Sequence, residues 1–116
     1  MQVAERLEAG QDIDARDRFG QTALMRSARL GQGAVVELLI RAGAELDVTA
    51  KYGLSALMLA VLNQHVAVAR ALAAAGADLS LRGTGSAGFH GRTAAELAEA
   101  SGQSELARVL AIGNPR

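Results

Sequence analysis

The sequence predicts an all-α solenoid, built from short helix–turn–helix units stacked side by side. Three observations point there. Segments of the chain recur at a spacing of 33 residues, which is the mark of a repeat architecture. Each copy holds two apolar runs of about two turns, too short to be stable alone. The core must also be aliphatic, because half of the 116 residues are hydrophobic and only 3% are aromatic.

The recurrence is read residue by residue. Gly20 and Gly53, Leu24 and Leu57, Met25 and Met58, Leu39 and Leu72, and Gly43 and Gly76 all stand 33 apart. A third copy, Gly91-Arg92-Thr93-Ala94-Ala95-Glu96-Leu97-Ala98, follows at an offset of 38, so five residues are inserted before it. Going backwards, Ala9-Gly10-Gln11-Asp12-Ile13-Asp14 matches the Gly43 segment, and the chain opens on the second half of a unit. The organisation expected is one domain over 1–116. It comprises a half-unit 1–16, units 17–49 and 50–82, an extension 83–90, a closing unit 91–113 and a tail 114–116.

The elements follow in order. Val3 and Leu7 are apolar at i,i+4, with Glu5 and Arg6 where the next unit has Leu38 and Leu39; this predicts a short capping helix. Thr22, Ser55 and Thr93 each precede an apolar run and are placed to cap a helix N-terminus. Gly31 and Gly102 interrupt the chain after that run, where a left-handed residue suits a turn. The second runs are Val35–Ile40, Val68–Ala73 and Leu106–Ala111, and Gly43 and Gly76 end the first two. Glu96 and Glu99 replace Met58 and Val61 on one helix face, the polar outer surface expected at the end of a solenoid.

Taken together, the period and the Gly-x-Thr-x-Leu…Ala…Gly pattern resemble ankyrin repeats, over roughly residues 2–112. Two positions depart from the family pattern. The usual proline is Ala at 23, 56 and 94, and the usual histidine is Met25, Met58 and Glu96. Alanine is a good helix former, so the fold is expected to survive. The resemblance implies β-hairpin fingers between the units and partner binding through their tips and the exposed face of each first helix.

Composition narrows the chemistry. Formal net charge is zero and there is no cysteine. Nothing therefore points to nucleic acid or an anionic membrane, and thiolate zinc sites, disulfides and cysteine nucleophiles are excluded. No stretch approaches the ~18 continuous apolar residues of a membrane span. The expected setting is cytoplasmic, in a monomer. Twelve basic residues include only one lysine, Lys51, which fits a GC-rich, bacterial genome. His65 lies in a helix–helix turn and reads as structural, while His90 has no companion ligand. Asp12, Asp14 and Asp17 lack the remaining calcium-loop ligands and read as a solvated turn. No serine sits in a Gly-x-Ser-x-Gly elbow. Gly83-Thr84-Gly85-Ser86-Ala87-Gly88 matches the dinucleotide fingerprint, but no strand precedes it and the next helix starts late, near Thr93. It reads as a glycine-rich extension of the third finger, with nucleotide binding as a lesser possibility. No catalytic residue, cofactor or metal is expected.

The binding reading rests on the aromatic residues. Phe19, Tyr52 and Phe89 are the only three, and each falls at a tip: Arg18-Phe19-Gly20-Gln21, Lys51-Tyr52-Gly53-Leu54 and Phe89-His90-Gly91-Arg92. Aromatic and Arg side chains are favoured interface anchors. The resemblance adds first-helix positions Arg26, Arg29 and Leu30, then Leu62 and Asn63, with Ala100 and Ser101 inert. Tyr52, Leu54 and Leu62 are expected as an apolar centre, with Arg18, Arg29 and Arg92 around it. The partner expected is another protein with an acidic or mixed surface. A competing reading has the aromatics pack on neighbouring fingers and stiffen the row. A regulatory or inhibitory subunit of a neighbouring enzyme or toxin is a further functional class compatible with the sequence, and so is a folded spacer.

Overall fold

Hydroxyl side chains open the first helix of each unit. In the computed structural model, described over residues 12–85 and 89–112, six helices form three antiparallel pairs. They are α1 (Ala23–Leu30) with α2 (Gly33–Arg41), α3 (Ala56–Leu62) with α4 (Val66–Ala74), and α5 (Ala94–Ala100) with α6 (Ser104–Ile112). The capping helix expected near the start, the tail, and Ser86–Gly88 of the extension lie outside the described residues.

Thr22 and Ser55 are buried, and their hydroxyls accept the amides of Met25 and Met58 at 3.2 and 3.3 Å. The Thr93 hydroxyl accepts the Glu96 amide at 3.2 Å, and the Glu96 carboxylate accepts the Thr93 amide at 3.0 Å. That reciprocal pair is a capping box. Ala23, Ala56 and Ala94 begin the helices where the family has proline. Met25 and Met58, in the family's histidine position, are both 1% exposed and fill the core.

The turn inside each pair closes the same way. Gln32, His65 and Gln103 donate their amides to Ser27, Ala60 and Ala98, at 2.9, 2.9 and 2.8 Å. Each is preceded by a left-handed residue: Gly31 at φ 74°, Gln64 at φ 61° and Gly102 at φ 81°. Glycine tolerates that geometry and glutamine does not, at a cost of about 1–2 kcal/mol. At Gly31 space matters too, since a Cβ there would stand 2.6 Å from the His65 ring.

The pairs then stack. α1 packs on α3 and α3 on α5; α2 packs on α4 and α4 on α6. Ala56 through Val61 of α3 are all buried. Leu24, Leu39, Leu57, Leu72, Leu97 and Leu110 run through the centre. Each contributes about 1.5–3 kcal/mol on burial. Glu96 and Glu99 are exposed, although Met58 and Val61 at the same places are buried. Polar bonds lock the stack laterally. His65 Nε2–H donates to the Arg29 carbonyl at 3.1 Å, and Gln103 Nε2 donates to the Val61 carbonyl at 3.0 Å. Asp14 accepts the Glu45 amide at 2.8 Å, and Asp47 accepts the Asp78 amide at 2.7 Å. Ser80, at the next place in that ladder, turns back and donates to Asp78 at 2.6 Å.

The fingers differ from the expected β-hairpins. No strand forms among the described residues, and the one bridge pairs Gly83 with His90. The first two tips reverse within a few residues, between Asp17 and Gln21 and between Ala50 and Leu54, leaving too few facing amides for a ladder. The solenoid expected from the sequence is otherwise the one observed.

Gln64→Gly should raise stability by about 1 kcal/mol, by relieving the left-handed side chain. A urea midpoint with an unchanged slope measures this. A loss of stability would contradict the turn geometry.

Candidate functional site

The first tip is organised by Asp17. One carboxylate oxygen accepts the amides of Phe19 and Gln21, both at 2.9 Å, and the other meets the Arg26 guanidinium at 3.8 Å. The Asp17 carbonyl accepts the Gly20 amide, and the Asp17 amide donates to the Gln21 carbonyl, each at 2.9 Å. The Gln21 amide chiefly holds the Asp17 carboxyl below its usual range; burial opposes it, and the Phe19 amide and the Arg26 and Arg18 charges add to the lowering. Phe19 projects from this turn at 68% exposure, with the Arg18 guanidinium 5.8 Å from its ring centre.

The second tip reverses through a single 3₁₀ turn, Lys51–Gly53. Tyr52 is held there at φ 64°. That left-handed conformation costs a non-glycine residue about 1–3 kcal/mol. The ring remains 38% exposed, with Lys51 Nζ 5.1 Å from its centre. The third tip folds against the second. The Thr84 amide donates to the Tyr52 carbonyl at 2.7 Å, and the Tyr52 and Phe89 ring centres are 5.6 Å apart, tilted by 48°. Gly83 and Arg92 close the base of that finger through a 2.9 Å backbone bond.

The sequence-expected positions therefore separate. Arg18, Phe19, Lys51, Tyr52 and His90 are exposed on the tips, and Arg92 is exposed at the base of the third finger. Gln21 is half-buried at a tip base, and Arg26 is half-buried and paired with Asp17. Leu54, expected in an exposed apolar centre, is instead 7% exposed and part of the core. It follows left-handed Gly53, which turns it inward. Leu62, expected there too, is half-buried against the core. Phe89 is also half-buried on the core, so it stiffens the finger more than it faces solvent. Leu30 is 56% exposed but sits at the far end of α1 from the tip, about 10 Å along the axis from Ala23. There it borders a shallow hollow with Gln32 and Val35. Arg29 is exposed next to it, and Asn63 is exposed with its amide donated to the Leu59 carbonyl at 2.8 Å.

Sequence reasoning misses the ordering role of Asp17, which it groups with Asp12 and Asp14 as solvated. The Asp17-x-Phe19 spacing is an Asx-turn signal. It likewise misses the Asp14–Asp47 ladder, although the two aspartates recur at the repeat spacing of 33. Glu96 is expected only as an outer polar residue, and its Thr-x-x-Glu capping box is legible in the sequence as well.

Among the described residues, no group of three or more His, Asp or Glu could hold a metal ion. No helix there is long and apolar enough to cross a membrane. Fold and tips together define a repeat protein whose stacked helix pairs present a line of short, ordered tips. The sequence model of the ankyrin repeats matches residues 2–83 in three copies. The chain belongs to the ankyrin-repeat family, whose members generally act as protein–protein interaction modules and are typically non-catalytic. The pair α5–α6 lies beyond the matched residues and repeats the same cap and turn. No curated protein matches the sequence.

Because the folded Asp17 carboxyl is depressed, its contribution to the first tip is complete above the ordinary aspartate range and is lost as pH falls through the lowered value. The Phe19 and Gln21 amide resonances should titrate with a midpoint below the ordinary ~3.9 of aspartate. A midpoint at the ordinary value would show that the carboxylate does not hold the turn.

Proposed function

We propose that the chain binds a partner protein through its tip row and the exposed residues of helix α1, with Leu62 and Asn63 at the end of α3, without catalysing a reaction. Phe19 carries this reading. A bare phenyl ring stands 68% exposed on a turn closed by hydrogen bonds from Asp17. It packs on no other aromatic ring, so burial within the chain does not account for it. Large rings that are already ordered lose little entropy on binding and serve as interface anchors. Tyr52 supports the same reading, because strained backbone at a surface tip is a feature of ligand-contacting positions. Arg18, Lys51 and His90 complete the row, with Arg92 at the base of the third finger, Arg26 behind the first tip and Arg29 at the far end of α1.

The described part of the Gly83–Gly88 segment speaks against nucleotide binding. Gly83 is buried and bonded to Arg92 and Gly91. The amides of Thr93 and Glu96, at the start of α5, are already used by the capping box. Two of the donors that a phosphate would need at that helix end are therefore taken.

The experiment pairs Phe19→Ala and Tyr52→Gly with the unmodified chain as bait in an extract of the native host. Phe19→Ala should leave stability within about 0.5 kcal/mol while lowering partner capture by about tenfold or more. Tyr52→Gly removes the ring and also relieves the left-handed strain, so it should lose capture without losing the fold. Undiminished capture by both folded variants would remove the tips from the binding surface.

A further inference from the structure

We infer that the open face of α1 takes up a short apolar helix of a partner protein, with a carboxylate in its middle turn and its C-terminal end at Gln32; this rests on the α1 part of the binding surface proposed above and not on the tips. Leu30 prompts the inference. It is 56% exposed, and with Ala23, Arg26, Ser27, Gln32 and Val35 it borders a shallow hollow. Asn63 and Ser101, at the same place in the other units, are polar. The stack therefore does not call for an exposed leucine there.

Burial shows which way this face points. No described helix precedes α1 or follows α5. In α5, Ala94, Leu97 and Ala98 are buried while Glu96 and Glu99 are exposed, so the buried set faces α3 and α6. In α1, Met25 and Ala28 are buried while Ala23 and Arg26 are only half-buried. By repeat position, Ala23 and Arg26 stand where Ala56 and Leu59, and then Ala94 and Leu97, are buried. The later units cover those places with the preceding first helix, α1 on α3 and α3 on α5. A helix laid beside α1 in the same manner covers Ala23 and Arg26 and borders Leu30.

Two polar groups set the chemistry of the occupant. In the later units, the side chain after the inner turn reaches back to the preceding first helix. His65 Nε2–H donates to the Arg29 carbonyl and Gln103 Nε2 to the Val61 carbonyl, each in the last turn of that helix. Gln32 holds the same place, is exposed, and makes no side-chain bond to its own helix. Its amide is placed to donate to last-turn carbonyls, which have no partner within their own helix. Among the described residues, Arg26 is the one charge lining the hollow. Its pairing with Asp17 is loose, at 3.8 Å, and leaves 43% of the side chain exposed. An entirely apolar cover would desolvate that charge without compensation. A carboxylate opposite Arg26 supplies it, and an ammonium would be repelled. The remaining lining, Ala23, Leu30 and Val35, is apolar and suits the apolar face of a helix.

The test titrates the isotope-labelled full chain with a peptide of about twelve residues, crosslinked to hold it helical because so short a helix is unstable alone. Its contact face carries leucine and alanine around one central glutamate, and a control peptide has lysine there. The glutamate peptide should move the amide resonances of Ala23, Arg26 and Leu30 and of the Gln32 side chain, and leave those of Phe19 and Tyr52 in place. Its Kd should rise about fivefold in each of Leu30→Ser, Arg26→Gln and Gln32→Ala. Leu30→Ser copies the residue of the third unit, so its melting should stay unchanged. The lysine peptide should bind about tenfold more weakly. No movement of the α1 resonances up to about 1 mM peptide, equal binding of the lysine peptide, or an unchanged Kd in Leu30→Ser would overturn the inference. Dimerisation of the chain alone through the same resonances would also overturn it, giving this face to a second copy. The two readings fail differently: if the peptide leaves α1 untouched while Phe19→Ala still loses the host partner, the tip surface stands and the helix site falls.

Discussion

Helix α3 has no free face, and the rest of the molecule depends on that. Every residue from Ala56 to Val61 is buried, and the helix carries no charge. Seven residues cannot hold a helix in water by themselves. α3 exists because α1 covers one side, α5 the other and α4 the back. The polar groups it must satisfy are confined to its ends, and the chain places Ser55 at one end and the Asn63–Gln64 turn at the other. The same contact, repeated from pair to pair, sets where each finger leaves the stack.

The tips inherit their order from this arrangement. Bonds across the pairs run from His65 to Arg29, from Gln103 to Val61, and along the Asp14 and Asp47 ladder. They hold the connecting segments at a fixed offset, so the tips can be rigid without a β-ladder. Two non-glycine residues among those described are left-handed, Gln64 and Tyr52. Gln64 sits in a turn where glycine serves the other two units, and its side chain does no evident work there. Tyr52 sits on the exposed row, where the same geometry presents a ring beside Lys51. Equal strain thus stands in two settings, an inner helix–helix turn and an exposed tip.

Much of the fold is legible from period and chemistry. The 33-residue spacing, the hydroxyl caps and the turn glycines mark out the helices almost to the residue. The clustering of all three aromatics at tips singles out the tip row from spacing alone. What fails are judgements of inside against outside in the fingers. A helix announces its buried face through a 3.6-residue period, but a four-residue turn has no period to read. Leu54 therefore reads as an exposed anchor, although Gly53 swings it into the core. Phe89 follows a five-residue insertion that breaks the register with Phe19 and Tyr52. Its contact with Tyr52 depends on how that insertion folds back, which spacing alone does not give. For the aspartates, composition is the wrong guide, and their recurrence between units carries the information.

Native-state hydrogen exchange of the full chain tests the closed stack most directly. If α3 is the shared interior, its amides from Leu59 to Leu62 exchange only through unfolding of the whole stack, with protection equal to the free energy from denaturation. The fingertips should open far more readily. Exchange of the α3 amides through a smaller opening, with less protection than α1 or α5, would contradict the dependence of the tips on one closed stack.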